Sequence, residues 1–190
     1  MEVGFWNALW TFMTMVILTF TALAALVQLR HLSSSNQIAA LLAVQAEFRS
    51  ARLQRALHYV EFELEARLDE AEFRDELVEI GFVDPLEHPE MDVCTWFNEI
   101  GTLVKNGLVQ EDPFLEMFGR LVNRYWELLV PVVALLRRRR GPTQYENFEY
   151  LAARYRQWFA RRPAGRYPKR TPRLKVVERW SEEKQKPTLV

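Results

Sequence analysis

The chain has 190 residues, of which 49% are hydrophobic and 26% are charged, and its 25 basic residues equal its 25 acidic ones in number. This composition excludes a fully disordered chain and a collagen-like repeat, and the length is sufficient to bury a core. A single cysteine, Cys94, excludes an intramolecular disulfide.

The balanced total charge conceals an asymmetry along the sequence. Residues 30–112 contain 7 basic and 17 acidic residues, whereas residues 113–190 contain 18 basic and 7 acidic ones. Two interpretations remain open. The two halves can neutralise each other in the fold, or a basic face can be exposed to phosphates or anionic lipid.

The first long element is uncharged. Val3–Leu29 contains no Asp, Glu, Lys or Arg, with Phe5, Trp6 and Trp10 near its start. Because a helix needs roughly 20 apolar residues to cross the hydrocarbon core, this segment predicts a transmembrane helix with an aromatic belt at one interface. A secretory signal peptide is a weaker alternative, since such peptides begin with a basic region and have a shorter apolar stretch. A buried core helix is a second one, but such helices rarely have so many consecutive uncharged residues.

Orientation follows from the flanking charges. Glu2 precedes the apolar segment and Arg30 follows it. Because the side richer in Lys and Arg faces the cytoplasm, we expect the N-terminus outside and the domain inside. The unpaired Cys94 agrees with a reducing compartment.

A polar step at residues 33–36 is expected to separate this helix from the next one. Beyond Ser50, a predicted N-cap or kink, leucines recur at intervals of three and four, which predicts a half-buried amphipathic helix. A shorter acidic helix is expected from Asp69 to about Ile80, ended by Gly81.

Proline and glycine mark the following elements. His88-Pro89 predicts a helix start and Asn106-Gly107 its end. The apolar residues between them predict the inner face of this helix: Val93, Trp96, Phe97, Ile100, Leu103 and Val104. Asp112-Pro113 begins a long helix that ends at Gly141-Pro142, with an internal Pro131 expected to kink it. Thr143 and Glu146 have the spacing of a capping box, which would open a last helix.

No segment alternates with period two, so the sequence predicts an all-α protein. We expect a transmembrane anchor at residues 1–30 and a bundle-like domain of about five helices at residues 31–162. A basic, disordered tail is expected at residues 163–190, where Pro, Lys, Arg and Glu dominate.

Residues that could carry chemistry are few. His58 and Glu61 have a spacing known from carboxylate-bridged metal sites, but no second such pair accompanies them, so a solvated helix face is favoured. His31 borders the predicted membrane helix. His88 is expected to act as a helix cap and Cys94 as a small buried hydrophobe. With no phosphate-binding loop and no nucleophile motif, we predict no enzyme, no metal and no cofactor.

The strongest charge cluster is Arg137, Arg138, Arg139 and Arg140 at the end of the long helix. Cations there complement the negative helix terminus, but four in succession exceed that need. They are the candidate contact for anionic lipid or a protein partner. Lipid is favoured because the chain is expected at a membrane, and nucleic acid is disfavoured.

Several motifs resemble a family of uncharacterised bacterial proteins. They are Trp96–Gly101, Leu103-Val104 and Gly107–Val109, then Tyr125–Leu129 with Pro131, and Tyr145–Leu151. The resemblance covers roughly residues 23–158. It implies a single-pass protein of the bacterial plasma membrane with a helical cytoplasmic domain, and it implies no activity.

The leading hypothesis is therefore a membrane-anchored helical interaction module that binds a protein partner, a second copy of itself or anionic lipid. The alternative is a membrane-tethered sensor or effector of stress or phage infection, and an enzyme with an unrecognised site is a weaker third. An exposed apolar patch over a filled core would favour the partner, whereas a polar cleft would favour a ligand.

Overall fold

The computed structural model describes residues 2–79, 87–162, 165, 167–168 and 170–175. Over this part of the chain the fold is all-α, as predicted, with seven helices and no strand. The helices are α1 (Glu2–Phe48), α2 (Ala51–Phe62), α3 (Leu64–Asp69), α4 (Ala71–Glu79), α5 (Pro89–Lys105), α6 (Glu111–Arg140) and α7 (Glu146–Arg161). The expectation for Gly81, and most of that for the tail, lies outside the described residues.

The N-terminal helix does not stop where the sequence analysis placed its end. Residues 33–36 lie inside α1, which runs without a break to Phe48, so the predicted separation at the polar step is wrong. Extending an existing helix through serine costs only a few tenths of a kcal/mol per residue, whereas starting a new helix requires a costly nucleus. The membrane-type segment and the first domain helix are consequently one element.

The amphipathic helix expected beyond Ser50 is divided into α2 and α3, and the acidic helix expected from Asp69 to about Ile80 corresponds to α4. Ser50 is the N-cap of α2, as predicted, because its hydroxyl accepts a hydrogen bond from the Leu53 backbone N–H at 3.3 Å. Glu63 then interrupts the helical run, and Glu70 has an extended backbone (ψ 125°) that separates α3 from α4. These interruptions account for the additional helix.

The core is centred on α5, which packs against α2 and α7, while α6 packs against α7. The predicted inner face of α5 is confirmed: Leu103 is half-buried, and Val93, Trp96, Phe97, Ile100 and Val104 are buried. The Phe97 ring stacks on the Phe148 ring of α7 with 4.7 Å between centroids. Offset aromatic stacking of this kind adds to the burial energy.

Two glycines allow the helices of this core to approach closely. A Cβ atom on Gly101 of α5 would lie 2.2 Å from the backbone oxygen of Asn147 in α7. A Cβ atom on Gly119 of α6 would lie 2.1 Å from the Tyr155 ring. The α5–α7 and α6–α7 contacts therefore require glycine at these two positions.

The last helix begins differently from the prediction. Its N-cap is Tyr145, which has a left-handed backbone (φ 58°), and no side-chain capping bond is present. The Glu146 backbone N–H donates to the Thr143 carbonyl at 3.1 Å, so the turn is closed by the main chain. Because the Tyr145 side chain is buried, the turn is held by packing, and the predicted capping box of Thr143 and Glu146 is wrong.

The directions of α1, α6 and α7 define two ends of the domain. Gln110 donates a hydrogen bond to Gln37, and farther along both helices Phe118 meets Phe48 at 5.3 Å between ring centroids, so α1 and α6 run parallel. Helix α7 runs antiparallel to α6, because Arg162 pairs with Asp112. We call the end with the start of α6 and the end of α7 the anchor end, and the opposite end, with the end of α6, the distal end.

Candidate functional site

The first half of α1 has the properties of a membrane span. Gly4–Gln28 has a mean hydropathy of 2.0, and none of its most apolar window is buried within the fold. Its threonine hydroxyls donate to the helix backbone, as in Thr11 to the Asn7 carbonyl at 2.8 Å, so they leave no unpaired polar group. By length and composition this helix is apolar enough to cross a membrane.

The four predicted site arginines occupy the last turn of α6 but do not share one role. Arg137 is partly buried: its Nε donates to the Gln144 carbonyl at 3.0 Å, and its guanidinium pairs with Glu149 at 2.7 Å. Arg138, Arg139 and Arg140 are exposed at the distal end. Arg137 therefore joins α6 to α7, while the other three form a basic surface.

Ion pairs between the acidic and basic halves partly neutralise the charge asymmetry. Glu61 of α2 accepts two hydrogen bonds from Arg124 of α6. Glu111 likewise accepts two from Arg154, each 2.9 Å long. Such bidentate pairs fix geometry as well as charge. Mutual neutralisation of the two halves is thus confirmed in the middle of the domain and at the anchor end.

The histidine–glutamate pair considered as a metal site does not form. His58 is exposed and has Nδ1 3.8 Å from Glu63 Oε1, while Glu61 is engaged by Arg124. The side chain of His31 lies outside those described. Among the described residues, no group of three or more His, Cys, Asp or Glu side chains is arranged to hold a metal ion.

A different histidine lies in the core. His88 is 2% exposed and Glu90 is fully buried, with His88 Nδ1 2.8 Å from Glu90 Oε1. The Phe73 ring stacks on the imidazole, and His88 Nε2 lies 3.8 Å from Glu76 Oε2. His88 is the N-cap residue of α5, as predicted, but its side chain makes no capping hydrogen bond and is buried instead.

Burial is the main cause of the pKa shifts of Glu90 and of the nearby Cys94. Desolvation raises the pKa of the Glu90 carboxyl, although the hydrogen bonds from its own backbone N–H and from His88 act in the opposite direction. Glu90 Oε2 is buried without a hydrogen-bond partner. Burial also raises the pKa of the Cys94 thiol, as expected for an unreactive buried hydrophobe. Ionised Glu90 is thus an unfavourable buried charge.

The hydrophobic pattern of the sequence did not indicate that His88 and Glu90 are buried. Acidic residues in the first turn of a helix normally face solvent and complement its dipole, and Glu90 occupies that first turn. The local clue is the sequence His88-Pro89-Glu90, in which proline fixes the backbone between two polar residues. Only the placement of α4, whose Phe73 and Glu76 lie against His88, shows that both side chains are enclosed.

The described surface also carries an apolar groove between α1, α2 and α6. Its walls include Phe48, Leu57 and Leu121. Phe62 on its rim is 72% exposed, and Met117, which lines an adjoining groove that shares Phe48 and Leu121, is 47% exposed. An exposed apolar surface over a filled core is the feature that favours a macromolecular partner.

Comparison with known proteins places the chain in a family. No curated protein and no solved structure matches the chain. A family model described as a domain of unknown function, DUF4760, matches residues 15–155, from the middle of the apolar segment into α7. The chain therefore belongs to the DUF4760 family.

Proposed function

We propose that this protein is a single-pass, membrane-anchored interaction module whose helical domain binds a protein partner. The observation that carries the proposal is the continuity of α1. Its first half, Gly4–Gln28, is apolar and exposed. Its last turns pack onto the domain, where Val44 is buried and Phe48 contacts Trp96 and Phe118.

The proposed location is the bacterial plasma membrane, with the N-terminus outside and the domain in the cytoplasm. Its support is the charge difference between Glu2 and Arg30 on the two sides of the apolar segment.

The partner surface we propose is the distal end. Helix α6 has 30 residues and is therefore about 45 Å long. Because α6 runs parallel to α1, Arg138–Arg140 lie a helix length farther from the membrane than Glu111. Surface charge attraction is screened over about 8 Å at physiological salt. The position of these arginines thus supports an acidic protein surface, rather than the bilayer, as their binding partner.

The test uses the full chain in native membranes. A photo-crosslinking residue at Arg139 should give discrete adducts with another protein, and the Arg138→Glu/Arg140→Glu variant should lose them. The matched control carries the crosslinker at Glu99, which is exposed on α5. Equal adducts from both positions, or release of the chain from membranes by alkaline carbonate, would contradict the proposal.

A second candidate is a membrane-tethered sensor or effector. The observation that favours it is the buried carboxyl of Glu90 with its unpartnered oxygen, because a group that is costly to ionise makes a fold responsive to its surroundings. If this function holds, Glu90→Gln should abolish the cellular response to stress or phage while leaving the amount of membrane-bound protein unchanged.

A further inference from the structure

The anchor end of the domain lies close to the membrane if α1 spans it. Gln37, which accepts the hydrogen bond from Gln110, is nine residues beyond Gln28, the end of the apolar segment. Nine helical residues correspond to about 14 Å. The start of α6 is therefore held near the headgroup layer by the same helix that crosses the bilayer.

The end of α7 is held against the start of α6, at the anchor end of the domain. Trp158 Nε1 donates to Asp112 Oδ1 at 3.0 Å, and Arg162 pairs with the same carboxylate at 3.1 Å. Arg154 of α7 pairs with Glu111, so the two acidic residues that begin α6 are engaged by one arginine within α7 and by its C-cap arginine. The acidic charge at the anchor end is thus compensated, and the chain leaving α7 begins on the membrane side of the domain.

The last turn of α7 and the segment after it have the composition of a membrane-surface sequence. Their exposed basic residues include Arg161, Arg170 and Lys175. Apolar side chains are exposed between and beside them: Phe159 at 47%, Tyr167 at 44% and Leu174 at 87%. Basic residues bind anionic headgroups, while aromatic and leucine side chains enter the interface.

We propose that the end of α7 and the described residues up to Lys175 bind anionic headgroups of the membrane that α1 spans. The thirteen residues that follow Arg162, up to Lys175, can extend to about 40 Å, well beyond the 14 Å that separates the anchor end from the apolar segment. Because α1 tethers the segment beside the bilayer, weak intrinsic affinity is sufficient. The proposal rests on the proposed membrane anchoring, but not on the protein partner.

The test measures how close this segment is to headgroups in the reconstituted full chain. A fluorophore is attached at Leu174→Cys, and the vesicles contain a headgroup-attached spin label as quencher. Buried Cys94 of the wild-type chain provides the labelling control. Vesicles of neutral lipid are compared with vesicles in which about 30% of the lipid is anionic, because cytoplasmic leaflets carry anionic headgroups.

We expect stronger quenching with anionic lipid and a loss of that difference at high salt. Each basic charge near the surface changes the ratio of membrane-bound to unbound segment about fivefold. The variant Arg161→Gln/Arg170→Gln/Lys175→Gln removes three such charges and should lower this ratio on the order of 100-fold. The matched control, Arg138→Gln/Arg139→Gln/Arg140→Gln, removes three charges at the distal end and should leave the quenching unchanged.

The outcomes separate the two proposals. A chain that stays in the membrane but shows equal quenching in both lipids overturns the surface contact alone. The surface contact is also overturned if the distal variant loses the quenching, or if the variant at the anchor end keeps it. A chain that carbonate extracts from the vesicles overturns the proposed anchoring, and the surface contact with it.

Discussion

Glu90 is buried at a helix position where a carboxylate is normally exposed to solvent. It lies in the first turn of α5, where a carboxylate would complement the helix dipole if solvent reached it. Its side chain instead points into the core beside His88, and one of its oxygens has no partner. A buried polar group without a hydrogen bond is costly, so this position lowers the stability of the fold whenever Glu90 is ionised.

The first prediction concerns this carboxyl. Burial raises its pKa above 4.5, so the folded chain holds the proton more tightly than the unfolded chain does. The contribution of Glu90 to stability is therefore greatest below about pH 4.5 and is lost as the pH rises through the pKa in the fold. We expect the free energy of unfolding of Glu90→Gln, relative to wild type, to increase over this interval.

The measurement is urea unfolding of both chains from pH 4 to pH 8. Glu99→Gln, on the exposed face of the same helix, is the control and should follow the wild type at every pH. The other ionisable side chains around Glu90, which are His88, Glu76 and Tyr59, are present in both chains. A wild-type minus Glu90→Gln difference that is constant with pH would show that Glu90 is not desolvated.

A second prediction at this scale concerns Cys94. The thiol is fully buried, and burial raises its pKa, so very little thiolate is present or accessible at pH 8. We expect maleimide to label the folded chain far more slowly than the urea-unfolded chain, as measured by mass spectrometry. Equal labelling rates would mean that the reagent reaches Cys94 in the folded chain, and hence that the core around α5 is not closed.

At the scale of the helices, the closest contact is between α5 and α7. Asn147 binds Asn98 and Thr102 of α5, and its backbone lies over Gly101. Because the clash would involve backbone atoms, a rotamer change cannot relieve it. Helix separation would also disturb the Phe97–Phe148 stack.

We therefore expect Gly101→Ala to destabilise the domain by about 1–3 kcal/mol or more, the usual cost of overpacking a core. Thermal unfolding followed by circular dichroism measures it. Glu99→Ala, two residues away and exposed, controls for the change in helix propensity. A Gly101→Ala chain as stable as the wild type would contradict the close approach of α5 and α7.

The sequence was informative where hydrophobic periodicity and helix punctuation agree. The start of α5 at Pro89 and its end before Asn106 were predicted correctly, because proline and Asn-Gly act locally. The inner face of α5 followed from the 3.6-residue period. The continuity of α1 through residues 33–36 was missed, because local polarity does not show whether a helix already exists on both sides.

The candidate site was less predictable, since it depends on contacts across the fold. The exposed arginines at the end of α6 were identified from their run in the sequence, but the pairing of Arg137 with Glu149 needs the turn between α6 and α7. The burial of His88 and Glu90 requires the placement of α4, which no pattern in α5 encodes. Contacts between distant helices are set by packing and not by local propensity.

For the whole molecule, we expect the domain to fold without residues 1–29. Every buried residue of the described core lies at or beyond Val44, so this deletion removes none of them. The truncated chain should be monodisperse in the absence of detergent and should unfold cooperatively with the helical spectrum of a folded domain. Loss of cooperative unfolding would mean that the apolar half of α1 is required for folding.

The unbroken helix α1 also sets the angle at which the domain faces its surroundings. An α-helix turns by about 100° and rises about 1.5 Å per residue. One residue inserted between Gln28 and Gln37 would therefore swing the basic segment after α7 about a third of a turn around the axis of α1. Seven residues would restore the original facing and raise the domain by about 10 Å. A flexible linker would be insensitive to such insertions, whereas in a continuous helix each inserted residue should weaken the headgroup quenching at Leu174, because it raises the domain away from the bilayer.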